Sequence, residues 1–319
     1  MIVQKMTLKS ANYVLSLCLA GLMIGCNSAE PVAEAPDDLS VDDVEFTADE
    51  TLVLGDISNN PTKKVADYMP LADYLESRLT DTGIKAVKVK IAPDLKTMES
   101  WIAEGEVDLY FDSPYPAMIV STNTGAEPLL RRWKKGVAEY SSLIFVSQTS
   151  EIQTIEELDG QRIALESDFS TSGYMLPLVS LQAAGLELVE QSANNGSIGE
   201  NEVAFVFSAD ESNTVELVVS GKTDAGAIDS GTFDELPDEI QASMKVIFES
   251  EMVARHIVLA GPELPAEQVN AIKNQLLAMD QSPEGNTALD SFENTTKFDE
   301  FPVEQSIGRL KELYRLTLE

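Results

Sequence analysis

From Thr51 onward, short apolar runs of strand length alternate with longer segments in which apolar residues return every three or four positions. Residues 52–57 (LVLGDI) read as a buried strand. Asn60 and Pro61 then supply a cap and a first-turn proline for a helix, along which Val65, Tyr68, Ala72, Leu75 and Leu79 share a face. Residues 87–92 (VKVKIA) alternate as a strand, and Asp94 caps a short helix carrying Met98, Trp101 and Ile102. Residues 107–112 (VDLYFD) form a third strand. Pro114 or Pro116 opens a helix that ends near Gly125, and residues 140–147 (YSSLIFVS) form a long strand. A second set follows: a strand at 162–166, a helix capped by Ser170 and running to about Ala184, and a strand at 203–208. After it come a helix from about Ser212 to Gly221 and a strand at 225–229 (AGAID). Further strands are predicted at 245–249 and 254–261. The helix from Pro265 places Val269, Ile272, Leu276 and Met279 on one face, and a last helix carries Val303, Ile307, Leu310, Tyr314 and Leu318.

This alternation predicts an α/β fold with mostly parallel sheets. Two such sets in 319 residues predict two lobes. The late strands return to the first lobe, so the chain crosses between lobes twice. The expected division is 51–146 with 251–319 as one lobe and 147–250 as the other.

Residues 1–25 differ in kind. Lys5 and Lys9 precede an apolar run over 13–24, too short to span a bilayer comfortably, which describes a secretory signal. The run ends Leu22-Met23-Ile24-Gly25-Cys26, similar to a bacterial lipobox, and makes Cys26 the expected lipidated first residue of the mature chain. The several acyl chains of such a lipoprotein, palmitate among them, anchor stably. Residues 26–50 hold nine acids and no base and read as a disordered, self-repelling tether. The expected location is the cell envelope, on the extracytoplasmic or periplasmic face.

Charge narrows the function. Asp plus Glu number 54 against 22 Lys plus Arg, a formal net charge of −32, which repels nucleic-acid phosphates. A single histidine, His256, and two cysteines, Cys18 and Cys26, give no multi-His or multi-Cys metal site and no disulfide framework. No cofactor, metal site or catalytic constellation is expected, and the chain reads as a non-enzyme.

The strongest local signal is 166–174, ESDFSTSGY, which follows a strand and opens a helix. Ser170, Thr171 and Ser172 offer hydroxyls and Gly173 permits close approach. The first turn of a helix has unpaired amides and positive partial charge. Together these suit an oxyanion, although simple capping by Ser170 explains the serine equally well.

With LVLGDISNN, the helical 68–75 (YMPLADYL), VDLYFDSPYPA (107–117), STSGY (170–174) and GKTDAGAID (221–229), the chain resembles the phosphate/phosphite/phosphonate substrate-binding proteins of ABC importers over residues 52–262. The resemblance implies a type II two-lobed periplasmic-binding-protein fold, each lobe a mixed, mostly parallel sheet flanked by helices, with the ligand in the cleft between them. It implies that Ser170, Thr171, Ser172 and Gly173 hold the phosphorus oxyanion and that Asp112, Ser113, Pro114 and Tyr115 face it. It also implies a membrane permease and a separate ATPase subunit as partners, and a monomer that closes on its ligand. Family members often carry glycine where this chain has Asp112 or Ser113, and a His-Glu pair where it has Asp210-Glu211.

Asp112, Glu211 and Asp229 bring negative charge toward the anion. A ligand ammonium, a phosphate OH or protonation of one carboxyl would reconcile them; Asp229 ends an apolar strand, where α/β proteins bind ligands. Tyr115 and Tyr174 flank the turn segments, while Tyr110 reads as core. The basic run 131–135 (RRWKK) has two readings, a cluster that draws anions toward the cleft and, the favoured one, an exposed turn or docking patch, and His256 reads as structural. Two other readings stay open: a sensory clamp feeding a membrane kinase, and a ferric-ion binder using Tyr110, Asp112 and Tyr115.

Overall fold

Asn60 accepts a hydrogen bond from the Lys63 amide at 3.2 Å and starts the helix Pro61–Leu79, whose Tyr68, Leu71, Leu75 and Leu79 are fully buried. This pattern of a capped, one-faced helix laid on a strand recurs along the chain. The computed structural model describes Thr47 and residues 50–190, 197–302 and 304–318. The expected signal segment 1–25, Cys26 and nearly all of the tether 26–50 lie outside the described residues, as does Val303. Among the described residues no helix is long and apolar enough to cross a membrane.

The strands are β1 (Thr51–Ile57), β2 (Ala86–Ala92), β3 (Leu109–Asp112), β4 (Glu127–Arg132), β5 (Glu139–Tyr140), β6 (Ser142–Ser147) and β7 (Arg162–Leu165). They continue with β8 (Glu187–Glu190), β9 (Glu202–Phe207), β10 (Ala225–Asp229), β11 (Met244–Glu249), β12 (Val253–Ala254), β13 (His256–Ala260) and β14 (Phe298–Asp299). One six-stranded sheet has the order β14-β4-β13-β3-β1-β2, with β1 parallel to β2 and β3, and β13 antiparallel to its neighbours. The other has the order β11-β6-β10-β7-β9-β8, in which β7 to β10 run parallel and β6 opposes β10 and β11. Each is a mostly parallel sheet, with β13 and β14 reversed in the first and β6 reversed in the second, and helices flank both. The fold is the two-lobed type II clamp.

The two crossings between sheets pair with each other as a small antiparallel ribbon, Tyr140 opposite Val253. This corrects two expected strands. The predicted strand over 140–147 breaks at Ser141, and the one over 254–261 breaks at Arg255, because in each case the chain leaves the ribbon and turns into a sheet. All of β6 belongs to the second sheet, so the expected lobe boundary after residue 146 falls too late along the chain. Three strands were not anticipated, nor were the helices Ser230–Glu235, Asp238–Gln241 and Pro283–Ser291. β4 ends in Arg131 and Arg132, which read as surface. β8 is half exposed, and β14 is two residues long.

Two features of the core position the site. Tyr68, Phe111 and Phe292 meet edge to face at 4.5–5.7 Å between centroids, which fixes the start of the first helix against β3. Met175 and Leu176 from the second lobe are buried among Tyr115, Met118, Leu310 and Leu313. The second lobe's helix therefore enters through the first lobe's apolar core, and its first turn is held at the junction.

Candidate functional site

Parallel strands deliver ligand-facing groups at their carboxyl ends, and four acids stand there. Asp56 is the penultimate residue of β1, Asp112 closes β3, Glu166 follows β7 and Asp229 closes β10. All four line one cavity of about 280 Å³, together with Lys64, Ser113, Lys134, Tyr140, Ser170, Thr171, Ser172, Glu211, Arg255 and His256. Its walls come from both sheets. The volume is just under the roughly 300–1,000 Å³ usual for ligand pockets, which suits a ligand of few atoms.

The turn after β7 is the best-defined part. Ser170 is the helix cap: its Oγ accepts from the Gly173 amide at 2.9 Å and donates to Glu166 Oε2 at 2.7 Å. Residues Thr171–Met175 form a π-helical turn, closed by the Met175 amide on the Ser170 carbonyl at 3.0 Å, and continue into the helix Leu176–Ala183. Such wide turns concentrate at functional sites. Of the leading amides, that of Gly173 is taken by the cap. Those of Thr171 and Ser172 have no partner within the helix. The Thr171 hydroxyl crosses between lobes, accepting from the Tyr115 amide at 2.8 Å and donating to Ser113 Oγ at 3.0 Å. Ser142 Oγ donates to the Ser172 carbonyl at 2.5 Å. Two of the three hydroxyls are thus committed to shaping the turn. The free amides and Ser172 remain for a ligand.

The wall on the first sheet is cationic at depth. Glu293 takes Lys64 at 2.7 Å, Arg132 at 3.1 Å and Lys134 at 3.2 Å, and Lys64 also reaches Asp56 at 3.0 Å. Burial alone would raise the Glu293 carboxyl, but the charges of Lys134, Arg132 and Lys64 hold it well below the usual carboxylate range. Burial lowers the Lys134 ammonium to about 8; Glu293 opposes this, and Arg132 and Lys64 add to it. His256 is driven well below its ordinary value by burial and by Lys134, Arg132, Arg255 and Lys64, so its imidazole is neutral. Beside these cations, Asp112 accepts from Tyr110 Oη at 2.5 Å and the Ser113 amide at 2.6 Å; burial and the charge of Asp56 push it up to about 6.

The wall on the second sheet is acidic. Glu211 accepts from the Asp229 amide at 3.2 Å and from Thr232 Oγ1 at 2.7 Å, and the same hydroxyl lies 2.8 Å from Asp229 Oδ2. Burial, then the charge of Asp229, raises Glu211 to about 8, so it carries the proton of the pair at neutral pH. Burial works against Asp229, but Arg255, 3.6 Å away, and bonds from Glu211 and Thr232 keep it below the usual range. Arg255 also stacks on Tyr140, 4.3 Å from the ring centroid. The cavity therefore offers amides and ammoniums to an anion, and carboxylates to any proton or cation the ligand carries.

The structure brings Ser170, Thr171, Ser172, Asp112, Ser113, Glu211 and Asp229 to this cavity. Tyr115 and Tyr174 are placed otherwise. Their rings pack on each other at 6.2 Å, with Tyr314 at 6.1 Å from Tyr115, in the lobe junction rather than the cavity lining. Gly173 also lies behind the lining, against Glu166. Because Tyr115 turns away and Tyr110 is core, the three oxygens of the ferric-ion reading do not face one cavity. Among the described residues no group of three or more His, Cys, Asp or Glu could hold a metal ion. The run 131–135 is not a free basic patch: Arg131 is bidentate on Asp299, Arg132 is fully buried and Lys134 lines the cavity. Sequence reasoning also missed Asp56, Lys64, Glu166 and Arg255. Asp56 had a signal, since it ends an apolar parallel strand much as Asp229 does. The cations had none, because their partners lie up to 229 residues away.

A two-lobed clamp with a small polar cavity between its sheets is an architecture suited to holding a small solute. Residues 57–305 match the family model of the ABC transporter phosphonate periplasmic substrate-binding proteins, and the chain belongs to that family. It is a family of transport proteins, not enzymes, whose members work outside the cytoplasm and pass a small oxyanion to a permease and ATPase. The structure is similar to that of XAC2383 from Xanthomonas citri bound to chloride ion, at 26% identity over 84% of this chain and 98% of that chain, with a TM-score of 0.79. It shares its fold with PhnD1 from Prochlorococcus marinus in complex with methylphosphonate, at 18% identity over 84% and 98% of the two chains and a TM-score of 0.64. PA3383 from Pseudomonas aeruginosa, a binding protein component of an ABC phosphonate transporter, matches at 18% identity over 83% and 85%, with a TM-score of 0.59.

Proposed function

We propose that this chain is the lipid-anchored receptor of an importer for a small phosphorus oxyanion, a phosphonate, phosphite or phosphate. The ligand lies at the first turn of the helix that Ser170 caps. The observation that carries the reading is the junction of that turn with the first lobe. Thr171 bonds Ser113 Oγ and the Tyr115 amide, so the two lobes meet at the point where unpaired amides open onto a cavity of about 280 Å³. Oxyanions favour such termini, and closure around the ligand is how a two-lobed clamp retains it. The methylphosphonate in complex with PhnD1 agrees with this size and charge. A volume below the usual pocket range favours an anion of headgroup size over a nucleotide. The acids of the second wall favour a ligand that brings a proton or an ammonium with its anion, as 2-aminoethylphosphonate does.

Titration calorimetry of the purified protein with methylphosphonate, 2-aminoethylphosphonate, phosphite and phosphate tests the reading. At least one is expected to bind, and silence toward all four would overturn it. The anchor is proposed at Cys26, on the strength of the basic start, the short apolar run and the Leu22-Met23-Ile24-Gly25 that precedes it. Cells fed labelled palmitate are expected to label the wild type and not Cys26→Ser; equal labelling of both would contradict the anchor.

A further inference from the structure

The five residues of the basic run 131–135 part company in the fold, and four of them are held away from the cavity, although Arg132 Nη1 and Trp133 Nε1 are buried without a hydrogen-bond partner among the described residues. Arg131 holds Asp299 through two nitrogens at 2.7 and 2.9 Å and reaches Glu139 at 3.0 Å. Arg132 bonds Thr295 Oγ1 at 2.8 Å and the Phe292 carbonyl at 2.9 Å, with its guanidinium 3.7 Å from the Phe292 ring centroid. Trp133 packs under Lys297, 4.0 Å from its ring centroid, and Lys135 pairs with Glu235 at 2.9 Å on the surface. Lys134 is different. Its side chain is 19% exposed, its ion pair is with Glu293 at 3.2 Å, and Glu293 is already shared with Lys64 and Arg132. One carboxylate thus serves three cations. Lys64 has Asp56 as a second partner, and Arg132 has neutral acceptors. An ammonium has three N–H groups to place, and among the described residues Lys134 has only the shared Glu293 within ion-pair distance, with Asp56 and Asp112 acting on it from further off.

A second observation points the same way. His256 lines the same cavity, is 6% exposed, and its buried Nδ1 has no hydrogen-bond partner among the described residues. A half-paired ammonium and a histidine with one unpartnered ring nitrogen therefore line one polar cavity. Buried polar and charged groups left so are costly unless something completes them.

We propose that Lys134 is a ligand-binding residue: its ammonium contacts the bound oxyanion directly, from the wall opposite the Ser170 turn, and supplies the charge that the turn amides lack. The inference rests on the oxyanion reading above and adds a cation to it. It also gives Glu293 and Arg132 a role. Glu293 orients the ammonium, and the fully buried Arg132 keeps Glu293 from neutralising it.

The test is calorimetry of the full chain at pH 7 with methylphosphonate and with inorganic phosphate, on the wild type, Lys134→Met, Lys134→Gln and Lys135→Met. Each ligand-free protein is melted in parallel. Loss of a charged hydrogen bond predicts that Lys134→Met binds about 10- to 100-fold more weakly. Its ligand-free melting temperature is expected to be unchanged or higher, since an underpaired buried charge has been removed. Lys134→Gln keeps an N–H for Glu293 and is expected to lose affinity equally, which separates charge from packing should the methionine variant unfold. Lys135→Met, one residue away on the surface, is expected to stay within about threefold of wild type, as befits an exposed pair. Affinity of both Lys134 variants within about threefold of wild type, or an equal loss in Lys135→Met, would overturn the direct contact while leaving the oxyanion reading standing. A wild type silent toward these two and toward 2-aminoethylphosphonate and phosphite as well would fail both.

Discussion

Glu293→Gln is expected to destabilise the folded protein by about 3–5 kcal/mol, the usual cost of leaving buried charges without their partner. The expectation follows from geometry. Three cations converge on this carboxylate within 3.2 Å, and its side chain is 16% exposed. Glutamine keeps the shape and a carbonyl acceptor, but it leaves Arg132 fully buried with neutral acceptors alone and Lys134 with no ion pair. Against a total stability of about 5–15 kcal/mol, such a loss is large. Urea denaturation followed by intrinsic fluorescence measures it. The pH dependence has a definite sign. The folded carboxyl titrates below its unfolded value, so its contribution is complete above the ordinary carboxylate range and is lost as pH falls through the folded value. The gap between wild type and Glu293→Gln is therefore expected to hold from neutral pH down to mild acid and to close in strong acid. A constant gap of less than about 1 kcal/mol would mean that the cluster is solvated and contributes as surface pairs do.

Gly173→Ala is expected to abolish measurable ligand binding. The residue does not use a left-handed backbone; space is the constraint. A Cβ there would stand 2.5 Å from Glu166 Cβ and 3.0 Å from both Glu166 Oε2 and Ser170 Oγ. Ser170 Oγ and Glu166 are the cap of this turn, so relief of the clash has to rotate the turn itself. That moves the free amides of Thr171 and Ser172 and pulls the Thr171 hydroxyl from Ser113 and the Tyr115 amide. Loss of two hydrogen bonds to a charged ligand amounts to about 3–6 kcal/mol, or roughly 10²- to 10⁴-fold in affinity. Calorimetry with whichever anion the wild type binds, beside a thermal melt showing a folded variant, checks it. Wild-type affinity in a folded Gly173→Ala would mean that the ligand does not use this turn.

The sequence carried the clamp more fully than the chemistry inside it, for a physical reason. Strand and helix alternation is a local signal, so Pro61–Leu79 under its Asn60 cap and Ala225–Asp229 were legible from their own residues. Ser170 was legible because capping acts over three residues. What escaped depends on distant partners. β4 ends in two arginines that look exposed until Glu293, Thr295 and Asp299 close over them. The same distance hid Lys64 and left Lys134 in a run read first as surface and only second as an attractor of anions; their shared acid lies more than 150 residues further along. Tyr115 and Tyr174 misled in the opposite direction. They flank the right segments, but the chain needs their rings to join the lobes. Thr171 falls between the two cases, predicted as a contact to ligand and found as a contact between lobes.

A crystal structure with bound methylphosphonate tests the central claim most directly. The phosphonate oxygens are expected to sit against the amides of Thr171 and Ser172, with Ser172 Oγ on one side and the ammonium of Lys134 on the other. Density for the ligand outside the cavity between the two sheets, or a Ser170–Gly173 turn that faces away from it, would contradict the account.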